Sequence, residues 1–292
     1  MEIQLRKITE YKDLFRYYQK VSQNIPYWMH MDYETWLESF CNDSDYDADM
    51  MFRQLLTYTA EQEGEICAFI QFGIPNFLYD TQGEKSREHQ GGIIRNFYFE
   101  PEMEQAGRKL LDLAQDYFQQ NRVTQKFAFF HAFGMTCNAG HGKLYTKLTH
   151  VEQLLKAHGF IKEHENVYYS RLLSAADAGR KTKVELAYGE MNSKGMCEFS
   201  IHADGEWIGA GAYAQLPQGE ISYLRWIFLD GKQQGKGYGT AALQSLFAHL
   251  AAAGMKRLDT DTADGNEIAQ KLYLKTGFQD LGRTRSFLIP EK

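Results

Sequence analysis

Apolar and polar positions sort the chain into short alternating runs and longer helical ones. Glu2 to Ile8 alternates as a short strand. Residues from about Tyr11 to Phe40 read as helices interrupted at Ile25-Pro26. Leu55 to Gly73 forms two runs around Glu63-Gly64-Glu65, which predicts a hairpin with a glycine turn. Phe77 to Gly92 is polar and loop-like. In the second half, Val184 to Tyr188, Cys197 to Ala203 and Trp207 to Ala214 read as strands, the last two paired around Asp204-Gly205-Glu206. Ile221 to Leu229 is a further strand, and Ala241 to Leu250 opens a helical run.

The pattern occurs twice. Ile93-Ile94-Arg95-Asn96-Phe97-Tyr98-Phe99-Glu100 reads like Tyr223-Leu224-Arg225-Trp226-Ile227-Phe228-Leu229-Asp230. A helix follows each, Met103 to Gln120 and Thr240 to Ala253, and Lys156 to Phe160 echoes Leu274 to Phe278. The first copy is longer between its arginine and its late glycine, with the extra residues near Gly134 to His150. That loop carries Cys137, His141 and His150, with His131 just before it. Its spacing matches no metal-ligand pattern, so a structural or substrate-contacting loop is expected. Ser174 to Thr182, small and polar, is the linker candidate, which divides the chain into 1–173, 174–182 and 183–292.

Chemistry concentrates at Gln234-Gly235-Lys236-Gly237-Tyr238-Gly239-Thr240, between a strand and a helix. That arrangement aims free backbone N–H groups and the positive end of a helix dipole at an anion, and the glycines let the main chain approach closely. Lys236 and the Gln234 amide add donors. The spacing excludes a Walker loop, because Gly231 and Gly235 are too close and Gly237 follows Lys236. It excludes a dinucleotide fingerprint, because Thr240 stands where the last glycine belongs. What remains is Gln-x-x-Gly-x-Gly. It resembles the pyrophosphate loop of the GNAT N-acetyltransferase superfamily, which holds acetyl-CoA. Asn266 through Phe278 resembles that superfamily's second cofactor motif: an Asn, a helix with Ala269 and Leu272-Tyr273, then Gly277-Phe278. Asn266 is a plausible N-cap and Gly277 a helix-ending glycine.

The resemblance implies an α/β (α+β) fold of two tandem GNAT-like units, each a mixed, mostly antiparallel sheet flanked by helices. It also implies a degenerate first unit, because Gln105 and Lys109 stand where the second unit has Gly235 and Gly239, and only Gly107 matches Gly237. By motif position Ile227, Phe228 and Leu229 face the pantetheine, with the Leu229 N–H as oxyanion donor. Gly235 to Thr240 take the pyrophosphate, and Asn266 and Ala269 complete the cofactor contacts. Tyr273 lies near the CoA sulfur as a candidate acid, since a phenol can donate as a thiolate leaves. Glu220 is the candidate base, acting directly or through water, with Asp259 and Asp261 as lesser candidates.

Bulk properties narrow the setting. A formal net charge of −6 over 292 residues argues against a nucleic-acid partner. Four scattered cysteines, no apolar leader and no membrane-length apolar stretch predict a cytoplasmic protein without a metal site or membrane partner. The expected activity is acetyl-CoA-dependent N-acetylation of a small-molecule or peptide amine, by a monomer or homodimer. The alternatives are a non-catalytic acyl-CoA-binding module and a transferase for a longer acyl group.

Overall fold

Strands form where buried and exposed positions alternate, and the helices each turn an apolar stripe inward. The computed structural model describes residues 2–41, 44–45, 47–79, 84–87, 91–179, 182–217 and 219–290. Arg180 and Lys181 of the polar stretch Ser174 to Thr182 lie outside these. In chain order the elements are β1 (Gln4–Lys7), α1 (Lys12–Ser22), α2 (Tyr33–Cys41), β2 (Phe52–Gln62), β3 (Glu65–Pro75), β4 (Leu78–Tyr79), β5 (Lys85–Ser86), β6 (Gly91–Phe99), α3 (Glu104–Gln120), β7 (Gln125–Ala128), β8 (Leu144–Tyr145), α4 (Thr149–Ala157) and β9 (Ile161–Leu172). There follow β10 (Glu185–Tyr188), β11 (Met196–Ala203), β12 (Glu206–Gln215), β13 (Ile221–Leu229), α5 (Tyr238–Ala252), β14 (Arg257–Ala263), α6 (Glu267–Lys275) and β15 (Gln279–Ile289). The fold is α/β, with mostly antiparallel pairing and one parallel strand pair in each half.

Two compact units divide the chain between Glu165 and Asn166 and again between Arg283 and Thr284. In the first, β1, β2, β3 and β6 pair antiparallel in that order, and β6 pairs β7 in parallel. The last residues of the chain join this unit, Phe287 to Ile289 pairing with Lys126 to Ala128. The predicted hairpin is β2–β3, turning at Glu63 and Gly64, both at positive φ. Helix α3 buries Leu110, Leu111, Ala114 and Phe118 against the sheet. Between α2 and β2 three aspartates hold a cation of the same chain: Lys85 meets Asp45, Asp47 and Asp49 at 2.5, 2.9 and 2.6 Å.

In the second unit, residues 166–172 of β9 pair antiparallel with all of β14, and β14 pairs β13 in parallel. β12, β11 and β10 then follow as antiparallel neighbours. Helix α5 lays Ala242, Leu243, Leu246, Phe247 and Leu250 on Leu224 and Leu258, the main core of the unit. Each of these leucines and Phe247 contributes about 1.5–3 kcal/mol by leaving water. The polar stretch after β9 begins as an ordered turn: Asp177 accepts from Ser174 N at 3.0 Å and from Arg171 at 2.7 Å. Arg171 also donates to the Thr276 carbonyl at the end of α6 and lies 4.0 Å above the Phe247 ring.

Candidate active site

Parallel β13 and β14 pair over only four residues, Ile221–Leu224 with Arg257–Thr260. β13 then stays with β12 as far as Leu229, while β14 stays with β9 as far as Ala263. The two strands therefore part, and a gap opens between their C-terminal ends. A bulge lies where they part: Ala212 pairs Trp226 and Tyr213 pairs Leu224, leaving Arg225 as the extra residue.

The ladder fixes which backbone groups face the gap. Asp230 N donates to the Ile208 carbonyl at 2.9 Å. Antiparallel hydrogen bonding alternates, so Leu229 and Ile227, opposite Gly209 and Gly211, turn their N–H and C=O groups away from β12. Gln234 agrees, its amide donating to the Leu229 carbonyl at 3.2 Å. The Ile227 and Leu229 side chains pack on the unit's core, whereas Phe228 is exposed on the other face of the sheet.

Next comes the glycine turn. Asp230 caps it, accepting from Lys232 N at 2.9 Å. Gly235 and Gly237 sit at φ +75° and +79°, conformations that a Cβ would strain, and a Cβ on Gly235 would otherwise meet open space. Backbone conformation, not crowding, thus selects glycine there. Gly239 is selected by proximity: a Cβ there would lie 3.3 Å from Leu272 of α6 and 3.8 Å from Leu229. The first bond of α5 runs from Ala241 N to the Gly237 carbonyl, so the N–H groups of Tyr238, Gly239 and Thr240 precede the helical ladder. Lys236 reaches back to Gln233 at 3.0 Å. Lys183 arrives from the segment before β10, donating to the Lys236 carbonyl at 2.6 Å and lying 4.4 Å from the Tyr238 ring. Nothing in the motif spacing points to Lys183, because its place is set by tertiary contact. Positive-φ glycines, helix-start amides that precede the ladder, and Lys183 and Lys236 gather donors of the kind that an anion requires.

Helix α6 sets Tyr273. Asn266 caps it, accepting from Ala269 N at 3.2 Å, an interaction worth about 1 kcal/mol. Its end is a Schellman motif: Phe278 N donates to the Tyr273 carbonyl at 3.0 Å and Gly277 N to Leu274 at 3.1 Å, with Gly277 at φ +91°. The Phe278 ring then packs 5.3 Å from the Tyr273 ring. Tyr273 is buried, half-buried Ala269 lies one turn before it, and burial raises the phenol above its ordinary value of 10.0 while a Thr260 hydrogen bond opposes the shift. Thr260 is the last paired residue of β14, so Tyr273 stands at the root of the gap.

A second polar group occupies that root. Asp261, the first β14 residue past the paired stretch, accepts from the Tyr223 hydroxyl and from the Asn166 amide. Buried Asp259 is instead committed to structure, chelated by Arg257 at 2.7 and 2.5 Å and accepting from Tyr168 at 2.7 Å. Glu220 is not brought to the gap. It precedes β13 at the closed end, about 13 Å of strand before the parting point. There it is exposed and ion-paired with Lys256, while its carbonyl receives Lys256 N at 2.8 Å.

The Acetyltransferase (GNAT) family model matches residues 160–278. The spermine/spermidine N(1)-acetyltransferase of Bacillus subtilis (strain 168) is 31% identical over 87 residues, covering 27% of this chain and 57% of that protein. Among solved structures, a tandem GNAT protein from the clavulanic acid biosynthesis pathway aligns over 98% of both chains with a TM-score of 0.61 and 8% identity. A GCN5-related N-acetyltransferase from Sphaerobacter thermophilus covers 98% of this chain and 95% of its own, with a TM-score of 0.65 and 10% identity. No helix among the described residues is long and apolar enough to cross a membrane. Residues 160–278 thus match the GNAT acetyltransferase family model, and the whole chain shares its fold with a tandem GNAT protein.

Proposed function

We propose that the second unit transfers an acetyl group from acetyl-CoA to a primary amine. The reading rests on one observation above all: pairing between β13 and β14 stops at Leu224–Thr260, in the strand that runs into a positive-φ glycine turn. The turn amides of residues 235–240, with Lys183, Lys232 and Lys236, hold the diphosphate. The Ile227 and Leu229 N–H groups, turned into the gap, bind the thioester oxygen and donate more strongly as negative charge develops on it. Asp261, rather than Glu220, takes the amine's proton, directly or through a water. Tyr273 donates to the departing sulfur; burial keeps its phenol protonated, the state that a donor requires.

The Bacillus relative's polyamines are the first acceptors to test. Purified protein is melted with and without CoA, then assayed for free-thiol release from acetyl-CoA with spermidine, spermine, amino acids and peptide N-termini. A CoA-dependent rise in melting temperature with thiol release for at least one amine is expected. A rise without turnover on any amine leaves the acyl-CoA-binding module as the function. Faster turnover with longer acyl-CoAs reassigns the acyl group.

A further inference from the structure

Asp261 is braced from the strands on both sides of it. From β13, the buried Tyr223 donates its hydroxyl to Asp261 Oδ1; from β9, the half-buried Asn166 donates its amide to Oδ2. Each carboxylate oxygen has a further lone pair, so both bonds can persist while an amine or a water approaches. The Asp261 side chain is itself only half-buried, which leaves that approach open. Strand register explains the reach. Tyr223 pairs Asp259 in the parallel stretch, and Asp261 lies two residues further along β14, on the same face of the sheet. Asn166 pairs Ala263, two residues beyond Asp261 on that face again.

The first unit shows what packing alone asks of these positions. In the matching register Ile93 pairs Phe127 where Tyr223 pairs Asp259, and Phe129 follows where Asp261 stands. That sheet forms with apolar side chains at all three places, so the fold requires neither a hydroxyl nor a carboxylate there. A buried phenol directed at a carboxylate calls for another reason. Resting on the acetyl-transfer reading, we propose that Tyr223 is a positioning residue for the base. Its hydroxyl, helped by the Asn166 amide, holds the Asp261 carboxylate in one orientation at the root of the gap and keeps it ionised for the amine's proton. Donors to a carboxylate stabilise its charged form, and a fixed orientation removes a search from the reaction. Tyr223 acts through Asp261 and passes no proton itself.

The charged and titratable groups around Asp261 are Arg257 and Asp259 on its own strand, Tyr168 on β9, Tyr223 and the bulged Arg225 on β13, and Tyr273 on α6. Tyr223→Phe keeps the ring and removes one hydroxyl from that set, so a change in Asp261 titration reports on the hydroxyl. Aspartate carboxyl carbons of the full chain are isotopically labelled for NMR, and the Asp261 signal is the one missing from Asp261→Asn. Tyr223→Phe should move the midpoint of that signal upward, because a donor to the charged form is lost, and Asn166→Ala should move it in the same direction. With the fastest amine of the panel, Tyr223→Phe should lower kcat about 10-fold, less than Asp261→Asn does, and leave the KM for acetyl-CoA unchanged. A merely structural tyrosine would lower the melting temperature without moving the midpoint. An unmoved midpoint in Tyr223→Phe overturns the proposal, whether or not an acceptor turns over. So does wild-type kcat in Tyr223→Phe while Asp261→Asn is slow; the base then stands without its brace. If Asp261→Asn keeps full kcat, the base reading fails and the proposal with it, while CoA-induced stabilisation of the same samples reports separately on the cradle.

Discussion

The two units build the same gap and treat it in opposite ways. In the first, β6 and β7 pair in parallel over Gly91–Ile94 and Gln125–Ala128; in the second, β13 and β14 pair over Ile221–Leu224 and Arg257–Thr260. Each upper strand then bulges at an arginine, Arg95 or Arg225. Each closing helix ends in the same Schellman turn, Phe160 N donating to Leu155 as Phe278 N donates to Tyr273. Past the bulge they diverge. β14 runs on along β9, but the first unit's chain turns at Phe129, at φ +56°, and Phe129 N donates to the Ile94 carbonyl at 2.9 Å. The inserted loop then fills the opening. Arg95 drives its guanidinium into it, donating to the carbonyls of Phe133 and Gly134 at 2.9 and 3.1 Å and to Ser39 at 3.0 Å.

The anion cradle is removed by equally simple means. Without positive-φ glycines, α3 starts at Glu104, about one turn earlier in the repeat than α5, so residues matching the cradle are already helical. Gly107 is hemmed in by the Phe99 ring, which a Cβ would meet at 2.7 Å. Glu102 stands where the second unit has Lys232, Ala106 where it has Lys236, and Leu155 replaces Tyr273. The duplicated scaffold survives because its strands, bulge and helix ends are packing features. The units differ instead at a few residues that packing does not require.

The sharpest division within the second unit is between its two carboxylates. Asp261→Asn should lower kcat by roughly 10²- to 10⁴-fold while CoA-induced stabilisation persists, the range for loss of a general base. Glu220→Gln, at the closed end, should change kcat less than about 2-fold, as expected for an exposed ion pair. The reverse ranking in steady-state kinetics would remove Asp261 from the mechanism.

Next in size is a reciprocal pair that breaks one unit and spares the other. Gly237→Val demands an αL conformation of a β-branched residue and should abolish the CoA-induced melting shift, equivalent to about 100-fold weaker binding. Arg95→Met leaves buried carbonyls without donors and should cost about 3 kcal/mol of unfolding free energy in denaturant titration, with CoA affinity unchanged. A CoA shift that survives Gly237→Val, or one that Arg95→Met erases in folded protein, would mean that the cradle has been assigned to the wrong unit.

The sequence made much of this readable because glycines and apolar spacing are local signals. The repeat register set by Arg95 and Arg225 is the register that the parallel strand pairs adopt. What it hid was tertiary. The parting of β13 from β14 has no residue signature, since Ile227 and Leu229 would suit any buried strand. Asp261 lies at the parting point and Glu220 does not, a difference that only the strand pairing reveals. Lys183 reaches the glycine turn from a distant segment. The insertion in the first unit was visible as a length, but its role as a plug was not.

Tyr273 carries a smaller expected loss than Asp261 and the clearest sign. It has no counterpart hydroxyl in the first unit, where Leu155 fills the place, so the phenol is not needed for the helix to pack. Tyr273→Phe should therefore leave the melting temperature and CoA shift close to wild type and lower kcat by about 10-fold. Burial raises the phenol above 10.0, so it keeps its proton throughout the neutral and mildly alkaline range and loses it only beyond that value. A rise in kcat from acid toward neutral pH then belongs to the amine and its base. Between pH 8 and 10 the wild type should show no decline that Tyr273→Phe abolishes. A descending limb in that window, present in the wild type and absent from the variant, would show that the tyrosine ionises too easily to serve as the donor to sulfur.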